Sequence, residues 1–343
     1  MDSSTEAPPG NSVIEERRAR RRVSATIPKE GEAAERLGRR ASGPGQIPWR
    51  GYRAVLSRVL VEATSDRIGL VAAGCAFYGM LALFPALSLI VSIYGLAFDP
   101  AAVETQLALL DGVLPLPALE LVASMLNGLV TANPRRLGIG ALTALLLTLW
   151  SASAGMKAVL AALNLAYEQN EKRGILRFQL AALGFTLAAI AGVAFALACI
   201  VALPAILGGF GMVEPFLVRG VSIAAMLLAV MVGLSLLYRF GPSREPARWV
   251  WITPGSVVAT LLWAIASILF SLYVQHFATL DATYGPLGAV VVLLLWFYVT
   301  AFVVLLGAEL NAELELQTAC DTTVGPEAEM GGRGAFVADH VAD

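Results

Sequence analysis

Apolar positions gather in six long blocks, roughly 70–98, 137–156, 178–203, 216–238, 250–274 and 287–308, separated by shorter polar stretches. About 20 apolar residues in a helix cross a bilayer core, so each block predicts one membrane span. The first is oversized, because the 31 residues from Ile68 to Phe98 carry no charge, which is about 46 Å as continuous helix. Pro85 lies near its middle and removes a backbone donor, predicting a broken or strongly tilted first span.

Ahead of that block Trp49, Tyr52, Leu56, Val59, Leu60 and Ala63 recur at helical spacing, with Arg50, Arg53 and Arg58 between them. This pattern predicts an amphipathic helix over 49–67 lying on the membrane surface. Leu119, Val122, Leu126 and Leu129 repeat the spacing and predict a second interfacial helix on the opposite face. Lys157 interrupts an otherwise uncharged run over 137–167, which predicts a bend into the interface after the second span. Residues 1–48 mix Pro, Gly, Ser, Glu and Arg with no apolar period and read as a disordered tail. Residues 316–343 read as an acidic tail. The expected fold is all-α and polytopic, with six spans over 68–315, interfacial helices and disordered termini.

Composition sharpens this picture. The 343 residues are 57% hydrophobic and 15% charged, against about 25% charged in a typical soluble domain. Only 19 of the 50 charges fall in the 241 residues from 68 to 308. So few cannot cover a water-facing surface, and the sequence is that of an integral membrane protein. The net charge of −2 says little, because the basic and acidic ends cancel.

The placement of basic residues predicts orientation. Arg50, Arg53, Arg58, Arg67, Lys157, Lys172, Arg173, Arg177, Arg239, Arg244 and Arg248 fall on one face; Arg135, Arg136 and Arg219 fall on the other. Eleven against three puts both termini in the cytoplasm, and acidic residues carry little weight in this rule. No short hydrophobic core follows Met1, so the first apolar block is expected to act as an uncleaved anchor. Cys75, Cys199 and Cys320 suggest free thiols rather than a disulfide framework.

Catalytic machinery is sparse. The two histidines, His276 and His340, fall on opposite faces in this topology, and no nucleotide-binding loop or serine-hydrolase turn occurs in a suitable setting. No metal, cofactor or catalytic residue is expected. Five arginines within 17–22 offer RNA an electrostatic hold, yet an anionic leaflet explains them more simply, so no nucleic acid partner is expected.

Polar residues on the spans are the candidates for function. Tyr78, Ser151, Ser153, Asn164 and Tyr167 read either as glue and anchors between helices or as the lining of a polar pathway. A charge at mid-membrane costs about 2.5–3.5 kcal/mol and much less near the edge. Glu309, closing the sixth span with Asn311 just beyond, therefore reads either as the partner of a base such as Arg239 or Lys157, or as a coupling group. Pro85, Pro254 with Gly255, and the turn Tyr284, Gly285, Pro286 are candidate hinges or gates. If these groups serve transport, Tyr78, Ser151, Asn164 and Glu309 are expected to share a hydrated cavity.

Several short stretches carry a resemblance. They are Ala76-Phe77-Tyr78 with Leu83-Phe84-Pro85; Trp150-Ser151-Ala152-Ser153; Leu163 through Tyr167; Leu237 through Pro242; Pro254-Gly255; Tyr284 through Gly288; Leu294 through Tyr298; and Leu306 through Asn311. Over about 49–315 the chain resembles the YihY/BrkB family of bacterial inner-membrane proteins, once labelled ribonuclease BN. It departs at Ala82, where that family usually has serine, and at Gly174, where proline is common. The resemblance implies six spans with both ends inside. It also implies a link to virulence, serum resistance or envelope lipid export, with the ribonuclease label a misassignment.

The expectation is a non-enzymatic protein of the bacterial inner membrane that moves an envelope lipid or small solute. A membrane scaffold is the alternative, and a tRNA-processing ribonuclease a distant third. Membrane lipids are expected partners. Small residues on the spans, such as Gly184 and Ala188, leave room for an oligomer.

Overall fold

The computed structural model describes residues 14–15, 18–19, 23–24, 35, 37–65, 68–97, 139–209, 215–276 and 286–342. Among these, seven long helices follow one another: α1 (Trp49–Ser65), α2 (Ile68–Ala97), α3 (Ile139–Ala166), α4 (Ile175–Gly209), α5 (Pro215–Phe240), α6 (Trp249–His276) and α7 (Pro286–Glu315). Each of α3 to α7 holds a segment long and apolar enough to cross a bilayer. A sixth candidate combines α1 with α2, whose axes differ by 62°. The protein is an all-α polytopic membrane protein.

Helices α2, α3, α4, α5, α6 and α7 pack in a closed ring, each against the next and α7 back against α2, while α3 and α7 also touch across it. Much of the ring's outer surface is apolar and exposed, as on Leu228, Val232, Leu261, Ile265 and Leu269, which suits contact with lipid tails. A large buried cluster lies near the end that carries the described parts of both chain ends, hereafter the terminal face. There Tyr167, Tyr238, Ala259, Ala308, Ala312 and Leu316 form one buried cluster.

The expectation of a break at Pro85 is corrected. Helix α2 runs unbroken through Pro85, and the change of direction comes before it, between α1 and α2. Close packing on α3 supports this stretch: a Cβ on Gly155 would lie 3.2 Å from the Gly79 Cα and 3.4 Å from the Ala82 Cβ. Helix α3 likewise passes through Lys157 without interruption. Lysine is a good helix former, and its long side chain reaches to within 5.3 Å of the Trp150 ring centre.

The described parts of the chain ends are more ordered than their composition suggests. A 3-10 turn at Pro44–Gln46 precedes α1, and a short helix α8 (Phe336–Asp339) leads into strand β2 (Val341–Ala342). Strand β2 pairs antiparallel with β1 (Val23–Ser24), in the register Val23 opposite Ala342. Polar bonds add to the burial of Val337, Val341 and Ala342 there. Gln317 donates to the Leu37 carbonyl at 2.6 Å and Thr318 to the Ala41 carbonyl at 2.7 Å. Arg333 donates to the carbonyls of Ala319, Ala328 and Ala338. The acidic tail is thus a folded cap on the terminal face. The helix expected over 119–129, and the candidates Tyr284 and Gly285, lie outside the described residues.

Candidate functional site

The polar residues singled out in the sequence fall in three places. Tyr78 and Ser151 are exposed on α2 and α3, with Tyr78 edge-on to Phe77 at 5.6 Å. Ser153 is buried and joins two helices, accepting a hydrogen bond from Gln179 of α4 at 2.8 Å and donating to the Trp150 carbonyl at 2.6 Å. Asn164, Tyr167, Glu309 and Asn311 are buried together near the terminal face, where the ends of α3, α5 and α7 meet the start of α6.

Asn164 is a latch. Its Oδ1 accepts the Ser243 backbone N–H at 2.7 Å and its Nδ2 donates to Glu171 at 2.8 Å, tying the end of α3 to the loop between α5 and α6. Arg173 completes the tie by donating to Glu171 and to the Gly241 carbonyl. Burial works to raise the Glu171 carboxyl, but the hydrogen bonds from Arg173 and Asn164 outweigh it and hold the group at about 2. It is therefore charged at neutral pH. Replacing Asn164 with alanine leaves the Ser243 N–H without its acceptor and is expected to cost about 1–3 kcal/mol. Thermal unfolding in detergent, compared with wild type, checks this.

The next layer is ionic. Arg244, from the same loop, forms a two-point pair with Glu315 at 2.6 and 3.1 Å, both side chains wholly buried, and Thr322 donates to Glu315 at 2.7 Å. The Arg244 guanidinium also lies 4.4 Å over the Tyr167 ring. Burial opposes the Arg244 charge, and Glu315 more than compensates, holding the group protonated. Burial likewise pushes the Tyr167 hydroxyl well up, so the phenol is neutral. Further along α7, Arg58 of α1 pairs with Glu313 at 2.6 Å.

Helices α6 and α7 cross closely at two glycines. A Cβ on Gly255 would collide with the Gly307 carbonyl oxygen, and one on Gly307 would lie 2.5 Å from the Tyr238 hydroxyl and 2.7 Å from the Ala259 Cβ. Pro254 offers no N–H, and the Gly255 N–H donates to Asn311 Oδ1 at 2.8 Å. The candidate hinge is thus a turn of α6 bonded sideways to α7, and the Tyr238 hydroxyl donates to the Val304 carbonyl nearby.

Glu309 is buried on the face of α7 turned toward α2 and α3. It lines a small cavity with Ile68, Val71, Ala162, Leu165 and Leu305. The bases proposed for it are engaged elsewhere: Lys157 over Trp150, and Arg239 over the Trp249 ring at 4.1 Å. The structure brings Asn164, Tyr167, Asn311 and Glu309 to one end and leaves Tyr78 and Ser151 apart from them. Pro286 opens α7. Among the described residues no three His, Cys, Asp or Glu side chains gather as metal ligands.

Sequence reading missed Arg244, Glu315, Tyr238 and Gly307 as site residues. Charges at the edges of apolar blocks were visible, but their pairing across about 70 positions was not.

Against known proteins, the model of the family described as virulence factor BrkB matches residues 59–330. A putative ribonuclease-like protein YfkH of Bacillus subtilis is 32% identical over 249 residues, covering 70% of this chain and 87% of that protein. A UPF0761 membrane protein of Idiomarina loihiensis is 38% identical over 80 residues, or 23% of this chain and 28% of the relative. One of Tolumonas auensis is 39% identical over 82 residues, or 24% and 27%. No solved structure matches.

Proposed function

Because this chain belongs to the virulence factor BrkB family of membrane proteins, we propose that it moves an envelope lipid or other amphiphile, or a small solute, across the bacterial inner membrane. The observation that carries this reading is Glu309, a carboxylate 1% exposed within a spanning helix and lining a cavity. An ionisable group in that position is expensive to insert and marks a pathway or coupling site more often than a lipid-facing one. The glycine crossing of α6 and α7, about half a turn away at Gly307, supplies a hinge beside it. The basic residues on the terminal face support a cytoplasmic location for both chain ends.

Reconstitution into liposomes loaded with fluorescent phospholipids and small dyes tests the proposal. Wild type is expected to move at least one probe, and folded Glu309→Gln to abolish that movement. Unimpaired movement by the variant removes Glu309 from the role.

A second reading, a membrane scaffold without a path, is favoured by the separation of Tyr78 and Ser151 from the buried polar cluster and by the dense bonding around Asn164. Failure of wild type to move any probe supports it. The name of the Bacillus relative keeps a ribonuclease reading in view. That reading needs hydrolysis that survives rigorous purification.

A further inference from the structure

The cavity beside Glu309 has a single polar wall. Ile68 and Val71 of α2, Ala162, Leu165 and Ala166 of α3 and Leu305 of α7 line it with apolar side chains, and among the described residues Glu309 is its only polar one. Ile68 opens α2 and Ala166 closes α3, so the cavity lies at the terminal end of both helices, close to the aqueous side. Glu309 itself is set back about 9 Å along α7 from its last residue, Glu315.

Size and ligand chemistry limit what this site can hold. The volume is about 10 Å³, room for one water and too little for a lipid headgroup or a dye. A hard metal cation takes about six or more oxygen ligands, and one carboxyl group cannot provide them. A proton needs a single oxygen. Taking one turns a charge enclosed by apolar side chains into a neutral acid, which changes the electrostatics where α2, α3 and α7 meet without moving heavy atoms. A group of this kind within a span is a natural place for a relay.

The neighbouring ionisable groups do not compete for that role. On α2, Cys75 is a buried thiol one turn beyond Val71. Tyr167, directly after Ala166, has its hydroxyl beside the Asn311 side chain and within the influence of the Glu309 charge, and stays neutral. From α5, the Tyr238 hydroxyl is bonded to the Val304 carbonyl. Arg244, in the loop between α5 and α6, is taken by Glu315, and Glu313 on α7 is taken by Arg58 of α1.

We propose that Glu309 is a proton-binding site, loaded from the terminal face through this cavity, and that its proton is the coupling ion for the movement proposed above. The coupling rests on that transport reading; the proton site does not. In the loading step one O–H bond of hydronium breaks, an O–H bond forms on a Glu309 carboxylate oxygen, and water is left. Unloading is the reverse.

Infrared difference spectra of the full chain in liposomes, taken between alkaline and acid pH, read the site without any cargo. Wild type is expected to gain the carbonyl stretch of a protonated carboxylic acid, displaced in D2O, and Glu309→Gln to lack it. Glu309→Asp, which keeps the acid on a shorter stem, is expected to show the band at a shifted frequency and serves if the glutamine variant fails to fold. No such band in wild type, or the same unshifted band in either variant, would overturn the site. Coupling is read separately in the transport liposomes with the membrane potential clamped. One pH unit is a tenfold ratio of proton activity, so exchange of one proton per probe is expected to concentrate the probe about tenfold in wild type. Movement that ignores the gradient defeats the coupling and leaves the transport reading standing. The acid band without movement of any probe does the opposite, keeping the proton site and removing transport.

Discussion

Alanine at Glu315 is expected to destabilise the protein by about 3–5 kcal/mol, because it leaves the Arg244 guanidinium buried with no counter-charge. Arg244→Ala should cost as much from the other side. Both side chains are fully shielded, so solvent cannot take over the lost interaction. The damage extends beyond the pair. Thr322 of the cap donates to Glu315, and the Arg244 backbone belongs to the loop that Asn164 latches. The double variant Arg244→Met with Glu315→Leu removes both charges together and is expected to recover a large part of the loss, since apolar replacements of a buried pair are often neutral. Thermal or denaturant unfolding in one detergent, run on all three, reads this directly. A small effect of Glu315→Ala would mean that water reaches the pair.

The second large effect is expected at the α6–α7 crossing. Alanine at Gly307 places a methyl group 2.5 Å from the Tyr238 hydroxyl and 2.7 Å from the Ala259 Cβ, and both neighbours are wholly buried. Overpacking of this kind costs about 1–3 kcal/mol, and here the upper end applies because the Gly255 carbonyl oxygen, a backbone atom, is also only 2.9 Å away. The helices must separate, which strains the Tyr238 bond to Val304 and the Gly255 bond to Asn311. Gly255→Ala is expected to behave alike. Alanine at Gly184 or Gly233 serves as the control, since a Cβ at either meets nothing within 4 Å. If all four glycines respond equally, the crossing is looser than its geometry indicates.

The six apolar blocks were legible because bilayer thickness writes itself into sequence as length and lack of charge. The amphipathic helix before them was legible as a helix, but its orientation was only half so. Of its periodic apolar set, Val59 is buried against the bundle, while Trp49, Leu56 and Leu60 face outward. Val55, which fell outside that set, is wholly buried. Period alone cannot rank two apolar faces when one meets protein and the other meets lipid. Pro85 misled for a related reason. It disturbs an isolated helix, yet neighbouring side chains absorb the disturbance. The site was legible in its residue types and illegible in its pairings. Asn164 and Glu309 announce themselves as polar groups in apolar settings, but the Ser243 backbone and the Arg244 side chain depend on how a distant loop folds back.

The strand pairing of Val23–Ser24 with Val341–Ala342 lies outside the region matched by the family model, which ends at residue 330. Two segments more than 300 positions apart in sequence close on one another, leaving little slack for cargo placed hard against β2. A purification handle or fluorescent reporter attached directly after Asp343 would crowd this clasp, so a flexible spacer should come first.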